Sequence, residues 1–105
     1  MKKIIHYCWF GNKKMEDYTI ACIKSWQEHF PNYQIMVWNE NNFDVNICDY
    51  TKEAYEAKQY AFVSDYVRLY ALYNYGGIYF DTDYEVFKNF EDLLTADLTL
   101  GFESI

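Results

Sequence analysis

No cluster of lysine and arginine occurs in this chain, and that lack removes one class of function at once. Nine basic residues stand against 16 acidic ones, for a net charge of -7. Proteins that grip nucleic acid through its phosphates need a basic face, and this sequence has no stretch from which to build one. No apolar run approaches the roughly 20 residues that a membrane-spanning helix requires. The three cysteines, Cys8, Cys22 and Cys48, form neither a CxxC pair nor a zinc pattern with histidine. They read as reduced thiols of a cytoplasmic protein, bound at most peripherally to the inner face of a membrane. Met1-Lys2-Lys3-Ile4-Ile5-His6 starts like a signal peptide, but a sustained apolar stretch and a small-residue cleavage site are missing. Internal repeats, low-complexity tracts and linkers are missing as well.

What the chain has in quantity is aromatic residues. Apolar residues make up 51% of it and aromatics 22%, which excludes disorder. With 12 Tyr and 8 Phe in 105 residues, many rings must line pockets or interfaces, because a domain this small buries only about two-thirds of its unfolded surface. Self-association through exposed rings is expected on that ground. An acidic protein that binds an anionic nucleotide needs a cation between the two.

Lys3 to Trp9 is β-rich and ends at Phe10-Gly11-Asn12, so a strand followed by a loop is expected. Asp17 to Phe30 has helical spacing, with Ile20, Ile23, Trp26 and Phe30 forming the apolar face and Pro31 ending it. Gln34 to Trp38 reads as a second strand and the Asn-rich stretch to Cys48 as a loop. Asp49 or Thr51 is suited to cap a helix running through Lys58. A denser helix is expected over Ala61 to Tyr75, with Phe62, Tyr66, Leu69, Leu72 and Tyr73 on its buried side, stopped by Gly76. Ile78 to Phe80 reads as a strand that Tyr84 to Phe87 extends. A helical turn over Glu91 to Leu94 and a last strand, Leu98 to Phe102, complete the pattern. Strands alternating with helices imply an α/β sheet with mostly parallel pairing, and such sheets bind ligands beyond the carboxyl ends of their strands.

Asp81 and Asp83 stand at such an end, in Gly76-Gly77-Ile78-Tyr79-Phe80-Asp81-Thr82-Asp83. Residues two apart on a strand point to one side. Two hard oxygen donors there can hold Mg²⁺ or Mn²⁺, with water and substrate phosphate filling the remaining positions. Asp65 and Arg68 are three apart on a helix that is otherwise almost wholly apolar, so they share a face and must be paired or line a polar cavity. Arginine beside a pocket offers bidentate contacts to phosphate or sugar hydroxyls. Trp9 ends the first strand, where an indole can stack on a nucleobase. His6 is counted with the donor-binding candidates, although a lone histidine on an apolar strand is more often a packed, hydrogen-bonded residue.

Taken in order, Lys3-Ile4-Ile5-His6-Tyr7-Cys8-Trp9-Phe10-Gly11, Ala61-Phe62-Val63-Ser64-Asp65-Tyr66-Val67-Arg68, Gly76 to Asp83 and Gly101-Phe102-Glu103 resemble bacterial sugar transferases that carry the DXD motif. That family includes capsular polysaccharide synthesis proteins. The chain is also similar to the yeast-type initiating mannosyltransferases of glycosyltransferase family 32 and, more distantly, to the glucosylating domains of large clostridial toxins. The resemblance implies a GT-A, Rossmann-like sheet with flanking helices over residues 1–105. It implies a nucleotide-sugar donor, a saccharide acceptor, a divalent metal (usually Mn²⁺), and transfer with retention, in capsular or other surface polysaccharide synthesis. By the same resemblance Trp9 stacks on the donor base, Asp65 and Arg68 hold the donor sugar and its phosphate side, and Tyr79 lines the pocket. Asp81 contacts ribose or sugar and supports the metal shell, and Asp83 ligates the metal. Asp81, Asp83 and Arg68 are the catalytic candidates.

Members of that family extend well past the length of this chain, so the chain is expected to be the donor-binding part of a longer catalytic domain. The alternative is a nucleotide-sugar-binding module without activity of its own. A phosphatase of the haloacid dehalogenase type also places Asp-X-Asp after an apolar strand. It continues with Gly-Thr or Gly-Val near the amino terminus, whereas Tyr84 follows here and Asp65 and Arg68 would go unexplained.

Overall fold

The computed structural model describes residues 2–88. Strand β1 (Ile4–Cys8) is central. It pairs in parallel with β2 (Gln34–Trp38) on one side and with β3 (Ile78–Tyr79) on the other, giving the order β2-β1-β3. Helix α1 (Asp17–His29) connects β1 to β2. A 3-10 turn (Val45–Ile47), α2 (Asp49–Glu56) and α3 (Tyr60–Tyr75) lie between β2 and β3. The result is a three-stranded parallel α/β sheet with helices on both faces. The expected helical turn at 91–94 and strand at 98–102 lie outside the described residues, and Tyr84 to Phe87 does not extend β3.

Side-chain alternation splits the core into two layers. Ile5 and Tyr7 of β1 meet Ile78 and Phe80 on the α1 side, around Cys22, Trp26 and Phe30. Cys8 and Phe10 meet Trp38, Phe43 and Tyr79 on the α3 side, around Val63, Val67 and Ala71. Trp26, Phe30, Phe80 and Ile78 are almost wholly buried, each worth roughly 1.5–3 kcal/mol relative to exposure.

Two helix faces differ from the sequence expectation. In α3 the buried residues are Val63, Val67 and Ala71, while Phe62, Leu69 and Tyr73 are exposed (50%, 57% and 90%) and Tyr66 and Leu72 are half-buried. The rings of Trp38, Phe43 and Tyr79 already fill that layer, leaving room only for small and β-branched side chains. In α1 the buried residues are Thr19, Cys22, Ser25 and Trp26, and Ile20 is exposed. Ser25 can be buried because its hydroxyl donates to the Cys22 carbonyl and accepts from the Val86 amide. Asp49 lies inside the first turn of α2, and Cys48 is the N-cap. Thr51 is buried and donates to the Val45 carbonyl at 2.7 Å, fastening the 3-10 turn to the helix.

Candidate functional site

The α3–β3 junction sets the site. Helix α3 ends at Gly76, whose amide donates to the Leu72 carbonyl. Gly77 then turns at φ +92°, where a Cβ would press on the Ile4 carbonyl oxygen of β1. The chain enters β3 immediately, so the carboxyl end of β3 returns alongside the middle of α3.

A cavity of about 410 Å³ opens there, lined by Cys8, Ala61, Ser64, Asp65, Arg68, Tyr79, Asp81, Thr82 and Asp83. The α3 contribution follows helical spacing: positions 61, 64, 65 and 68 fall on one stripe, distinct from the buried stripe of Val63, Val67 and Ala71 and from the exposed stripe of Phe62, Leu69 and Tyr73. One helix thus faces the core, the cavity and the outside along three separate lines. The strand contribution follows period two. Tyr79 and Asp81 point to the α3 side with Cys8, and Ile78 and Phe80 point away.

Five of the predicted residues, Asp65, Arg68, Tyr79, Asp81 and Asp83, meet in this cavity. Burial pushes the Asp81 carboxyl above the usual carboxylate range, the Asp83 and Asp65 charges add to the effect, and the Arg68 guanidinium opposes it. A half-buried carboxylate with a second one two residues away suits a hard divalent cation. Among the described residues no group of three or more His, Cys, Asp or Glu converges as a metal cage. A cation here would therefore draw on the Asp81 and Asp83 carboxylates and complete its shell from water and phosphate, which is the ordinary habit of Mg²⁺ and of hard-oxygen Mn²⁺ sites. The donor set fits.

Trp9 and His6 are placed differently. Trp9 is half-buried and packs with the α1-side cluster, and its indole N–H donates to the Lys13 carbonyl at 2.6 Å. It stands next to the cavity residue Cys8 in sequence but does not line the cavity. His6 is fully buried and also off the cavity. Trp38 donates its indole N–H to His6 Nδ1 at 3.1 Å, which leaves Nε2 to donate to the Gly76 carbonyl at 2.8 Å. Burial lowers its pKa, against the opposing effect of that backbone bond. This is the packed histidine of the two alternatives.

Cys8, Ala61, Ser64 and Thr82 were not among the expected site residues. The signals for them were present: Cys8 is two positions from His6 on the α3 side of β1, and Ala61 and Ser64 complete the helical stripe of Asp65 and Arg68. Burial pushes the Cys8 thiol up to about 12, with hydrogen bonding from Tyr79 and Ser64 opposing the shift. Burial likewise raises the Tyr79 phenol. Both are neutral near pH 7, so they shape the wall and are not nucleophiles.

Residues 16–99 match the family described as glycosyltransferase sugar-binding region containing DXD motif. The chain belongs to this family. Its DXD motif is Asp81-Thr82-Asp83, on the rim of the cavity just described. Over 96 residues the chain is 31% identical to inositol phosphoceramide mannosyltransferase 3 of the fission yeast Schizosaccharomyces pombe, covering 88% of this chain and 27% of that protein. Among solved structures, the PaToxG glycosyltransferase superposes with a TM-score of 0.68 at 22% identity, over 85% of this chain and 44% of that one. The last likeness bears on the fold alone. The chain spans about a quarter of the curated relative and less than half of the structural one. No helix among the described residues is long and apolar enough to cross a membrane.

Proposed function

We propose that this chain forms the donor-binding part of a metal-dependent glycosyltransferase of GT-A type, which transfers a sugar from a nucleotide-sugar donor to a saccharide acceptor with retention of configuration. One observation carries the reading: Asp65 and Arg68 from α3 and Asp81 and Asp83 after β3 line a single cavity. In an acidic protein, an arginine beside two carboxylates is what a cation-bridged diphosphate requires.

Family resemblance supplies the individual roles, and the shared cavity is consistent with them. Arg68 faces the diphosphate and offers paired N–H donors to its oxygens. Asp65, one turn away on the same stripe, accepts from sugar hydroxyls. Asp81, half-buried and on the same side as Tyr79, would accept from ribose or sugar hydroxyls and help to hold the cation. Asp83, exposed on the turn, would be the direct ligand. The neutral Tyr79 and Cys8 side chains close the floor against water. A divalent cation, Mn²⁺ or Mg²⁺, supplies charge neutralisation to the departing nucleoside diphosphate when bound.

The proposal extends to surface polysaccharide synthesis, a cytoplasmic place at most peripheral to the inner membrane face, and association between copies. Family resemblance supports the first, the reduced-cysteine pattern the second and the exposed aromatic residues the third. Light scattering tests the association and cell fractionation the location. The alternative is a module that binds nucleotide sugar without turnover. The deciding experiment measures nucleoside diphosphate release from UDP-glucose, UDP-galactose, UDP-N-acetylglucosamine and GDP-mannose, with and without Mn²⁺. Mn²⁺-dependent release supports transfer chemistry. Mn²⁺-dependent binding without release supports the module. Binding that ignores Mn²⁺ overturns the metal role.

A further inference from the structure

Among the described residues, the sheet ladder stops short of the carboxylates of the DXD turn. Strand β3 has two residues, and its last ladder bond runs from the Phe80 amide to the His6 carbonyl at 3.0 Å. Beyond Phe80 the backbone leaves β1. An edge segment of this kind needs other partners to keep one shape.

Those partners come from α1. Trp26, wholly buried, donates its indole N–H to the Tyr84 carbonyl at 2.6 Å. Ser25 accepts from the Val86 amide at 3.0 Å through Oγ, and the same hydroxyl donates to the Cys22 carbonyl. Tyr18 donates its hydroxyl to the Asp83 carbonyl at 3.2 Å. Positions 18, 25 and 26 lie within one stripe of the helix. Aromatic packing continues the hold: the Trp26 and Phe80 centroids are 5.3 Å apart, and those of Phe80 and Tyr84 4.8 Å. A turn bond from the Tyr84 amide to the Asp81 carbonyl closes the loop between the anchors. Along the loop these hydrogen bonds fall on Asp83, Tyr84 and Val86.

We infer that Ser25 and Trp26, assisted by Tyr18, are positioning residues for the DXD turn: α1 fixes the backbone of residues 83–86 and thereby the direction in which Asp81 and Asp83 present their oxygens. The inference rests on the reading of these carboxylates as cation ligands. It adds that the geometry of the site is set from the face of the sheet opposite the cavity.

The test compares Ser25→Ala, Trp26→Phe and Tyr18→Phe with a control, Thr51→Val. The control removes a buried hydrogen bond of α2, remote from α1. Uptake of Mn²⁺ alone is read from the loss of the free-ion paramagnetic resonance signal, at a temperature where circular dichroism shows each protein folded. Exchange of the Val86 amide is read without metal. Ser25→Ala is expected to speed Val86 exchange at least tenfold, and Ser25→Ala and Trp26→Phe to weaken Mn²⁺ uptake at least threefold. Thr51→Val should lose comparable thermal stability with Mn²⁺ uptake unchanged. Tyr18 is largely exposed, so Tyr18→Phe remains folded even where Trp26→Phe does not, and it should weaken uptake about twofold. Mn²⁺ uptake that all three α1 variants leave unchanged overturns the inference and spares the cation reading. An Asp81 and Asp83 wild type that takes up no Mn²⁺ overturns both. An equal loss of uptake in Thr51→Val reduces the α1 effect to general stability and also overturns it.

Discussion

Trp38 donates its indole N–H to His6 Nδ1 across the β2–β1 pair, and this bond fixes which ring nitrogen of His6 carries the proton. The other nitrogen then donates to the Gly76 carbonyl at the end of α3. A single buried imidazole ties β2, β1 and the α3–β3 junction together, and it does so only while neutral. Protonation would put a second N–H against the indole N–H with no acceptor between them.

Stability should therefore depend on His6 in a defined pH window. Its folded pKa is lowered from the unfolded value near 6.5. The unfolded chain then binds the proton first, so stability is whole above about pH 6.5 and falls as pH drops below it, by up to about 1.4 kcal/mol per pH unit until the folded pKa is reached. The raised Asp81 carboxyl acts with the opposite sign at lower pH. Urea denaturation of wild type and His6→Gln between pH 5 and 7.5 checks this. The slope is expected in wild type and not in the variant.

Gly77 gives a second, independent prediction. Its φ of +92° and the Ile4 carbonyl beneath it leave no space for a methyl group. Gly77→Ala should cost about 2–4 kcal/mol, combining backbone strain with a forced shift of β3 from β1. Because β3 leads into Asp81, weakened Mn²⁺ uptake should accompany the loss. A midpoint of denaturation within the error of wild type would refute it.

How much of this was legible in the sequence depends on which force sets each residue. The strand Gln34–Trp38 and the helices were readable to within a residue or two, because period and turn signals are local. The cavity was readable through Asp65, Arg68, Asp81 and Asp83, since charge on an apolar helix and paired acids after a strand have few structural explanations. The buried side of α3 was not. Phe62, Leu69 and Tyr73 are the larger apolar residues, but their place depends on what already fills the opposite side of the layer, and Trp38 and Phe43 do that from distant sequence positions. The hold of Ser25 on Val86 was equally invisible, since a serine in a helix gives no sign of a partner 61 residues away.

Arg68 separates a binding role from a structural one. It sits on the cavity stripe of α3, away from the stripe formed by Val63, Val67 and Ala71. Arg68→Ala should weaken nucleotide-sugar binding at least tenfold, with stability changed by less than about 1 kcal/mol. Isothermal titration with UDP-glucose or GDP-mannose, paired with thermal denaturation, reads both. A stability loss of roughly 3 kcal/mol with affinity intact would mark a buried structural charge.

Trp9 carries the last prediction. It follows Cys8 at the carboxyl end of β1 and packs with the α1-side cluster, while the residue before it forms the cavity wall. The indole is held through the bond to the Lys13 carbonyl and the packing against that cluster. A ring fixed in this way is pre-ordered as a platform and loses little freedom when a base settles on it. Trp9→Ala should therefore weaken nucleoside diphosphate binding by about 1–3 kcal/mol, the range for stacking one base on an aromatic side chain. Trp9→Phe should recover most of the loss, because stacking needs the ring face and not the N–H. Titrations of UDP and GDP in Mn²⁺ check both variants. If Trp9→Ala binds as wild type does, the indole serves only to close the α1-side core, and the base must find its platform elsewhere.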